Sequence, residues 1–70
     1  MTIFVVVGNK YEFEEFKHSR KLTKGVFCVN HPKALEGRRI TEHDTVVFAG
    51  TALQRRDIDR IMRAIERCKQ

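Results

Sequence analysis

Apolar residues in this chain fall into three short unbroken runs and one spaced series. The runs are Ile3-Phe4-Val5-Val6-Val7, Val26-Phe27-Cys28-Val29 and Val46-Val47-Phe48-Ala49. None alternates apolar with polar. Continuous β-branched and aromatic runs predict strands covered on both faces, as in a parallel sheet. Each run ends in turn chemistry: Gly8-Asn9, Asn30-His31-Pro32 and Gly50-Thr51.

The segments between the runs carry a different pattern. Asn9 followed three residues later by Glu12 reads as a capping box with Asn in place of Ser or Thr, and it predicts a helix from about Lys10 to Arg20. Phe13 and Phe16, one turn apart, form its core stripe. Gly25 gives a flexible joint before the second strand. The stretch from His31 to Asp44 is polar and holds Pro32 and Gly37, so it reads as a loop with one short helical turn around Lys33–Leu35. Leu35 and Ile40 are its only large apolar residues and are expected to plug back onto the sheet. Ile58, Ile61, Met62, Ile65 and Cys68 recur at i, i+3, i+4, i+7 and i+10, the strongest helical signal in the chain. Thr51 is one candidate N-cap for that helix, and a start near Arg55 is the other.

The order is therefore β-α-β-loop-β-α, an α/β fold. Parallel strands need crossovers, and these are right-handed in nearly all cases. The expected arrangement is a three-stranded parallel sheet in spatial order 2-1-3 with the first strand central. In topology this resembles a minimal half of a Rossmann-like or flavodoxin-like sheet. That resemblance implies a ligand crevice at the carboxyl ends of the first and third strands, where the chain connections diverge. Gly8, Asn9, Lys10, Gly50 and Thr51 would flank it and could hold an anion on backbone amides. The dinucleotide fingerprint GxGxxG is absent, since only Gly8 is present, and there is no GxxxxGK[ST] phosphate loop. Gly8 accordingly reads first as a strand-to-helix corner, and nucleotide binding completed by dimerisation is a lesser reading. The stretch ALEGRRITEHDTVVFAG (34–50) is similar to the segment before a late core strand of P-loop ATPases. Ala49-Gly50 stands where acidic residues would be expected, so ATP hydrolysis is not implied.

Length and charge narrow the picture. Seventy residues form one domain, 1–70, with a small core. Chains of this size commonly add a disulfide, a metal or a second subunit. Cys28 and Cys68 have no CxxC or Cys/His spacing and read as free thiols in a reducing compartment. That leaves a homo-oligomer, dimer or larger, as the expected source of extra stability, helped by two open sheet edges. No signal peptide and no membrane-length apolar run is visible, so a cytoplasmic protein without membrane contact is expected. No metal or cofactor is expected. No catalytic motif stands out: His18, His31 and His43 are scattered, and Glu12, Glu14 and Glu15 read as a charged helix face.

Fourteen Lys and Arg against nine Asp and Glu give a formal charge of +5, which favours acidic partners. On an ideal helix Arg56, Arg60, Arg63 and Arg67 fall within a stripe about 60° wide and roughly 16 Å long. Guanidinium rows bind carboxylates and phosphates bidentately. Asp59 and Glu66 stand close enough in sequence to neutralise the row locally. Arg38 and Arg39 form a second basic cluster. Lys17, Arg20, Lys21 and Lys24 form a third, which suits a helix C-terminus. Tyr11 lies away from the phenylalanine stripe and is a candidate exposed anchor. The expected function is an accessory module that self-associates and docks on an acidic protein through Arg56, Arg60, Arg63, Arg67, Arg38, Arg39 and Tyr11. Nucleic-acid binding by the same arginines is the alternative, and an anion held between Gly8 and Gly50 is the third. So bare and basic a chain looks like the small accessory proteins of bacteriophages or mobile elements.

Overall fold

A computed structural model describes residues 1–69 of the chain. Strand β1 (Ile3–Val6) is followed by helix α1 (Lys10–Arg20), strand β2 (Val26–Val29), strand β3 (Thr45–Phe48) and helix α2 (Ile58–Cys68). Short 3-10 turns at Pro32–Leu35 and Ala52–Gln54 interrupt the two loops. The sheet is parallel, in the order β2-β1-β3. Ile3 pairs with Val26 on one side and Thr45 on the other. The central strand is the expected one, and a minimal α/β architecture results.

Successive side chains of β1 point to opposite faces, and this splits the core in two. Phe4 and Val6 join Val29, Leu35, Ile40, Ile61 and Ile65 on the face covered by α2. Val5 and Val7 join Phe13 on the face covered by α1, with Phe16, Val26 and Cys28 packed against them. Leu35 and Ile40 do fold back as plugs, and the Ile40 amide donates to the Cys68 carbonyl at 2.9 Å. Cys28 and Cys68 are free and pack on opposite faces of the sheet, which rules out a bridge between them. Among the described residues no helix is long and apolar enough to cross a membrane.

Helix α1 has the expected bounds. Asn9 Oδ1 accepts from the Glu12 amide at 3.1 Å. At the other end Lys21 takes a left-handed conformation (φ 55°), and the Leu22 amide donates to the Lys17 carbonyl at 2.9 Å, closing a Schellman-type cap. Helix α2 begins later than either expected start. Thr51 opens the 3-10 turn instead, and Asp57 is the N-cap of α2. The cause is Arg55. Its guanidinium donates to the Val7 and Gly8 carbonyls at 3.0 and 3.1 Å and forks onto Asp57 at 2.7 and 3.0 Å. Those bonds fasten residues 55–57 to the end of β1 and keep them out of the helix.

The strands differ in cover. The expectation of burial on both faces holds for β1 but fails for β3, whose terminal residues Thr45 and Phe48 are exposed. An edge strand in a chain this short has too few elements to cover it.

Candidate functional site

At the carboxyl ends of β1 and β3 the backbone makes the crevice that the topology implies. Gly8 sits at one lip and Gly50 (φ 59°) at the other. The chain supplies its own anion there. Glu12, in the first turn of α1, accepts from the Gly8 amide at 2.6 Å, from the Thr51 amide at 3.1 Å and from the Thr51 hydroxyl at 2.9 Å. The Gly8 amide is the main cause that holds the Glu12 carboxyl below its ordinary value, against the opposing pull of burial, with Thr51 and Asn9 adding to it. Both glycines make room for the Glu12–Thr51 pairing. A Cβ at Gly50 would strike the Glu12 carboxylate, 2.5 Å from Oε1, and a Cβ at Gly8 would strike the Thr51 hydroxyl and come within 2.8 Å of Glu12 Oε1. Any external anion at Gly8, Gly50 and Thr51 must first displace Glu12. Lys10 is exposed, and among the described residues it donates no hydrogen bond to the crevice.

In the sequence Glu12 reads as a capping-box partner or part of a charged face. Its reach across to Thr51, 39 residues away, has no local signature. The pairing of a first-turn glutamate with a glycine just before the N-cap was the available hint.

The arginines gather elsewhere. The 3-10 turn Pro32–Leu35 lies beside β2 and packs against α2. Between that turn and α2 runs a groove of about 570 Å³. Its half-buried or buried floor includes Pro32, Leu35, Ala64 and Cys68, and its exposed rim carries Lys33, Glu36, Arg38, Arg60, Arg63 and Arg67. Arg60, Arg63 and Arg67 are on the α2 side, one helical face as the spacing predicts. Arg38 comes from the facing loop, with its guanidinium carbon 4.1 Å from the centroid of the Phe27 ring. That cation–π contact fixes the direction of Arg38.

Among the described residues no ion pair neutralises this row. Glu66 is paired with Lys69 at 3.8 Å, and among the described residues none of Arg38, Arg60, Arg63 and Arg67 takes part in an ion pair. Arg56 precedes α2 and does not line the groove; Arg39 is exposed and also outside it. Tyr11 is 85 % exposed on α1, across the sheet from the groove, so the tyrosine and the arginines do not share one surface. Among the described residues no three His, Cys, Asp or Glu side chains converge as a metal site.

Fold and site together define a minimal α/β domain with a basic groove between its last helix and the loop that joins its second and third strands. Comparisons with protein families, curated proteins and solved structures find no match.

Proposed function

We propose that this domain is a binding module that docks an acidic segment of a partner protein in the groove between α2 and the Pro32–Leu35 turn. The observation that carries the reading is the convergence of Arg38 with Arg60, Arg63 and Arg67 around one groove, all without ion-pair partners among the described residues. Unpaired guanidinium groups facing one another across a partly apolar floor suit carboxylates carried on a chain with apolar side chains. The same geometry favours a peptide over nucleic acid. Single-stranded nucleic acid binds through bases stacked on exposed aromatic rings, and Phe27, whose ring lies under Arg38, is half-buried.

Exposed ion pairs contribute about 0.2–1 kcal/mol each, so the four arginines together supply roughly 1–4 kcal/mol. That corresponds to an affinity gain of about five-fold to a thousand-fold over an uncharged groove. Fluorescence anisotropy with a labelled Asp/Glu-rich peptide and with single- and double-stranded oligonucleotides, at low and near-physiological salt, tests the reading. The acidic peptide should bind the wild type, weaken with salt and lose binding to Arg60→Glu/Arg63→Glu. Absence of peptide binding at low salt refutes the proposal. Oligonucleotide binding that is stronger than peptide binding and lost in the same variant would assign the groove to nucleic acid.

A further inference from the structure

The outer edge of β3 poses a separate question. Residues 45–54 contain no charged side chain, in a chain of which 33 % is charged. Shorter uncharged stretches surround β1 (1–9), where burial at the centre of the sheet explains it, and β2 (25–32), over which Arg38 folds. On β3 it is not explained, because that strand is an edge. Phe48 is 37 % exposed and Val47 is half-exposed.

The open backbone can be assigned residue by residue. The Thr45 amide donates to Thr2 and the Ala49 amide to Val6, both toward β1. By the two-residue alternation of a strand, Val46 and Phe48 turn their amides and carbonyls outward. Phe48 pairs in register with Val6 and so points to the face covered by α2. One flank of α2, with Ala64 and Cys68, faces the groove beside β2. Met62 lies about 160° around the helix from Ala64, on the flank away from that groove, and is 41 % exposed.

The two sheet edges are treated differently. At β2 the strand is bracketed in sequence by Lys24 and Lys33, and Arg38 lies over Phe27. Charges of this kind block edge-to-edge pairing. At β3 there is no lysine, proline or bulge to do so, and Asp44, which directly precedes the strand, is turned back to accept from the Thr2 and Thr41 amides.

We propose that β3 pairs antiparallel with β3 of a second copy of this chain, giving a continuous six-stranded sheet about a two-fold axis midway between the two copies of Val47. In this register each Val46 stands opposite Phe48 of the other copy and exchanges both main-chain hydrogen bonds with it. Val47 meets its own symmetry mate at the closely spaced non-hydrogen-bonded position. The strand is self-complementary, as a two-fold interface requires. A second copy is the occupant favoured by charge. Elsewhere the chain carries the surplus behind its formal +5, which repels a like molecule, whereas β3 offers its twin a neutral strand. An acidic or basic partner would find nothing on β3 to pair with.

Analytical ultracentrifugation across a concentration series, joined to amide hydrogen exchange, tests this. The wild type should reach twice the 8.2 kDa chain mass as concentration rises. Phe48→Lys should remain folded by circular dichroism and stay at the single-chain mass. The Val46 and Phe48 amides should be protected in the wild type at high concentration and exchange freely on dilution, while Thr45 and Ala49 stay protected throughout. A wild type that remains at the single-chain mass at millimolar concentration overturns the proposal. So does a dimer that survives Phe48→Lys. Should that variant fail to fold, the wild-type exchange pattern decides: free exchange of Val46 and Phe48 within a dimer refutes the interface.

Discussion

Gly50→Ala is the sharpest probe of the crevice at the end of the sheet, because Gly37→Ala serves as its control. Both glycines have positive φ, 59° and 74°, but no atom lies within 4 Å of a Cβ built at Gly37, whereas at Gly50 it meets the Glu12 carboxylate. The left-handed conformation alone costs a residue with a Cβ about 1–2 kcal/mol. Displacing the Glu12 carboxylate from the Gly8 and Thr51 amides adds the coupling of residues that share one hydrogen-bond network, about 1–3 kcal/mol. Gly37→Ala should therefore cost about 1–2 kcal/mol, and Gly50→Ala about 2–5 kcal/mol. Against a total stability of roughly 3.5–10 kcal/mol for a domain this size, the second change is severe. In thermal unfolding each kcal/mol moves the midpoint about 4–8 °C. The assay is a double-mutant cycle with Glu12→Ala, read by urea unfolding. Removing the carboxylate should return Gly50→Ala to the cost of Gly37→Ala, leaving a coupling of about 1–3 kcal/mol. Equal costs for the two glycine variants, or a Gly50→Ala cost unchanged in the Glu12→Ala background, would refute the claim that Gly50 makes room for Glu12.

Three further outcomes follow from the same contacts. Glu12, Asp44 and Asp57 all have carboxyls held below their ordinary values, by the Gly8 amide, by the Thr41 and Thr2 amides, and by the Arg55 guanidinium respectively. The unfolded chain thus takes up protons first. Stability should be complete above the ordinary values of 4.5 for Glu and 3.8 for Asp and decline as pH falls through and below them, with a shallower decline in Glu12→Gln; equal slopes would exclude Glu12 from the linkage. Ile61, on the core face of α2, is 0 % exposed, and Ile61→Ala should cost about 2–5 kcal/mol in urea unfolding. A loss under about 1 kcal/mol would mean that α2 does not pack as described. Lys21→Gly should raise stability by about 0.5–1 kcal/mol, since glycine relieves the left-handed C-cap at a small entropic cost; a lower midpoint would count against that cap.

Much of the fold was legible because it rests on local patterns. Three apolar runs and a right-handed crossover specify the strand order, and Asn9 marks the start of α1. The start of α2 was not legible, because it depends on Arg55 reaching back some 47 residues to the end of β1. Nor was the place of Glu12, for the same reason: its partner Thr51 is distant in sequence. Of the arginine row, helical spacing correctly put Arg60, Arg63 and Arg67 on one face. It extended the row to Arg56 only by assuming a helix where Arg55 and Asp57 lock the chain open. That Arg38 faces this row across a groove follows from how the β2–β3 loop packs on α2, a tertiary fact that spacing does not encode.

The two proposed surfaces have opposite chemistry, and this makes them separable. Helix α2 turns its arginine flank to the groove beside β2, and Met62 lies on the opposite flank. The two proposed surfaces share no residue, so a dimer formed through β3 would present two grooves and would bind a two-site ligand with avidity when the linker spans them. Groove binding depends on exposed charge and fades as the Debye length shrinks from about 10 Å at 0.1 M salt to about 3 Å at 1 M. Pairing of the uncharged β3 strands rests on main-chain hydrogen bonds and apolar contact, which added salt does not screen. Raising salt should therefore release an acidic peptide while the chain keeps its dimer mass. Phe48→Lys should do the reverse, giving a single chain that still binds a one-site peptide at low salt. Sedimentation with a fluorescent peptide reads both reactions in one cell. Dimer and peptide lost together on adding salt would show that the arginines, and not β3, hold the copies together.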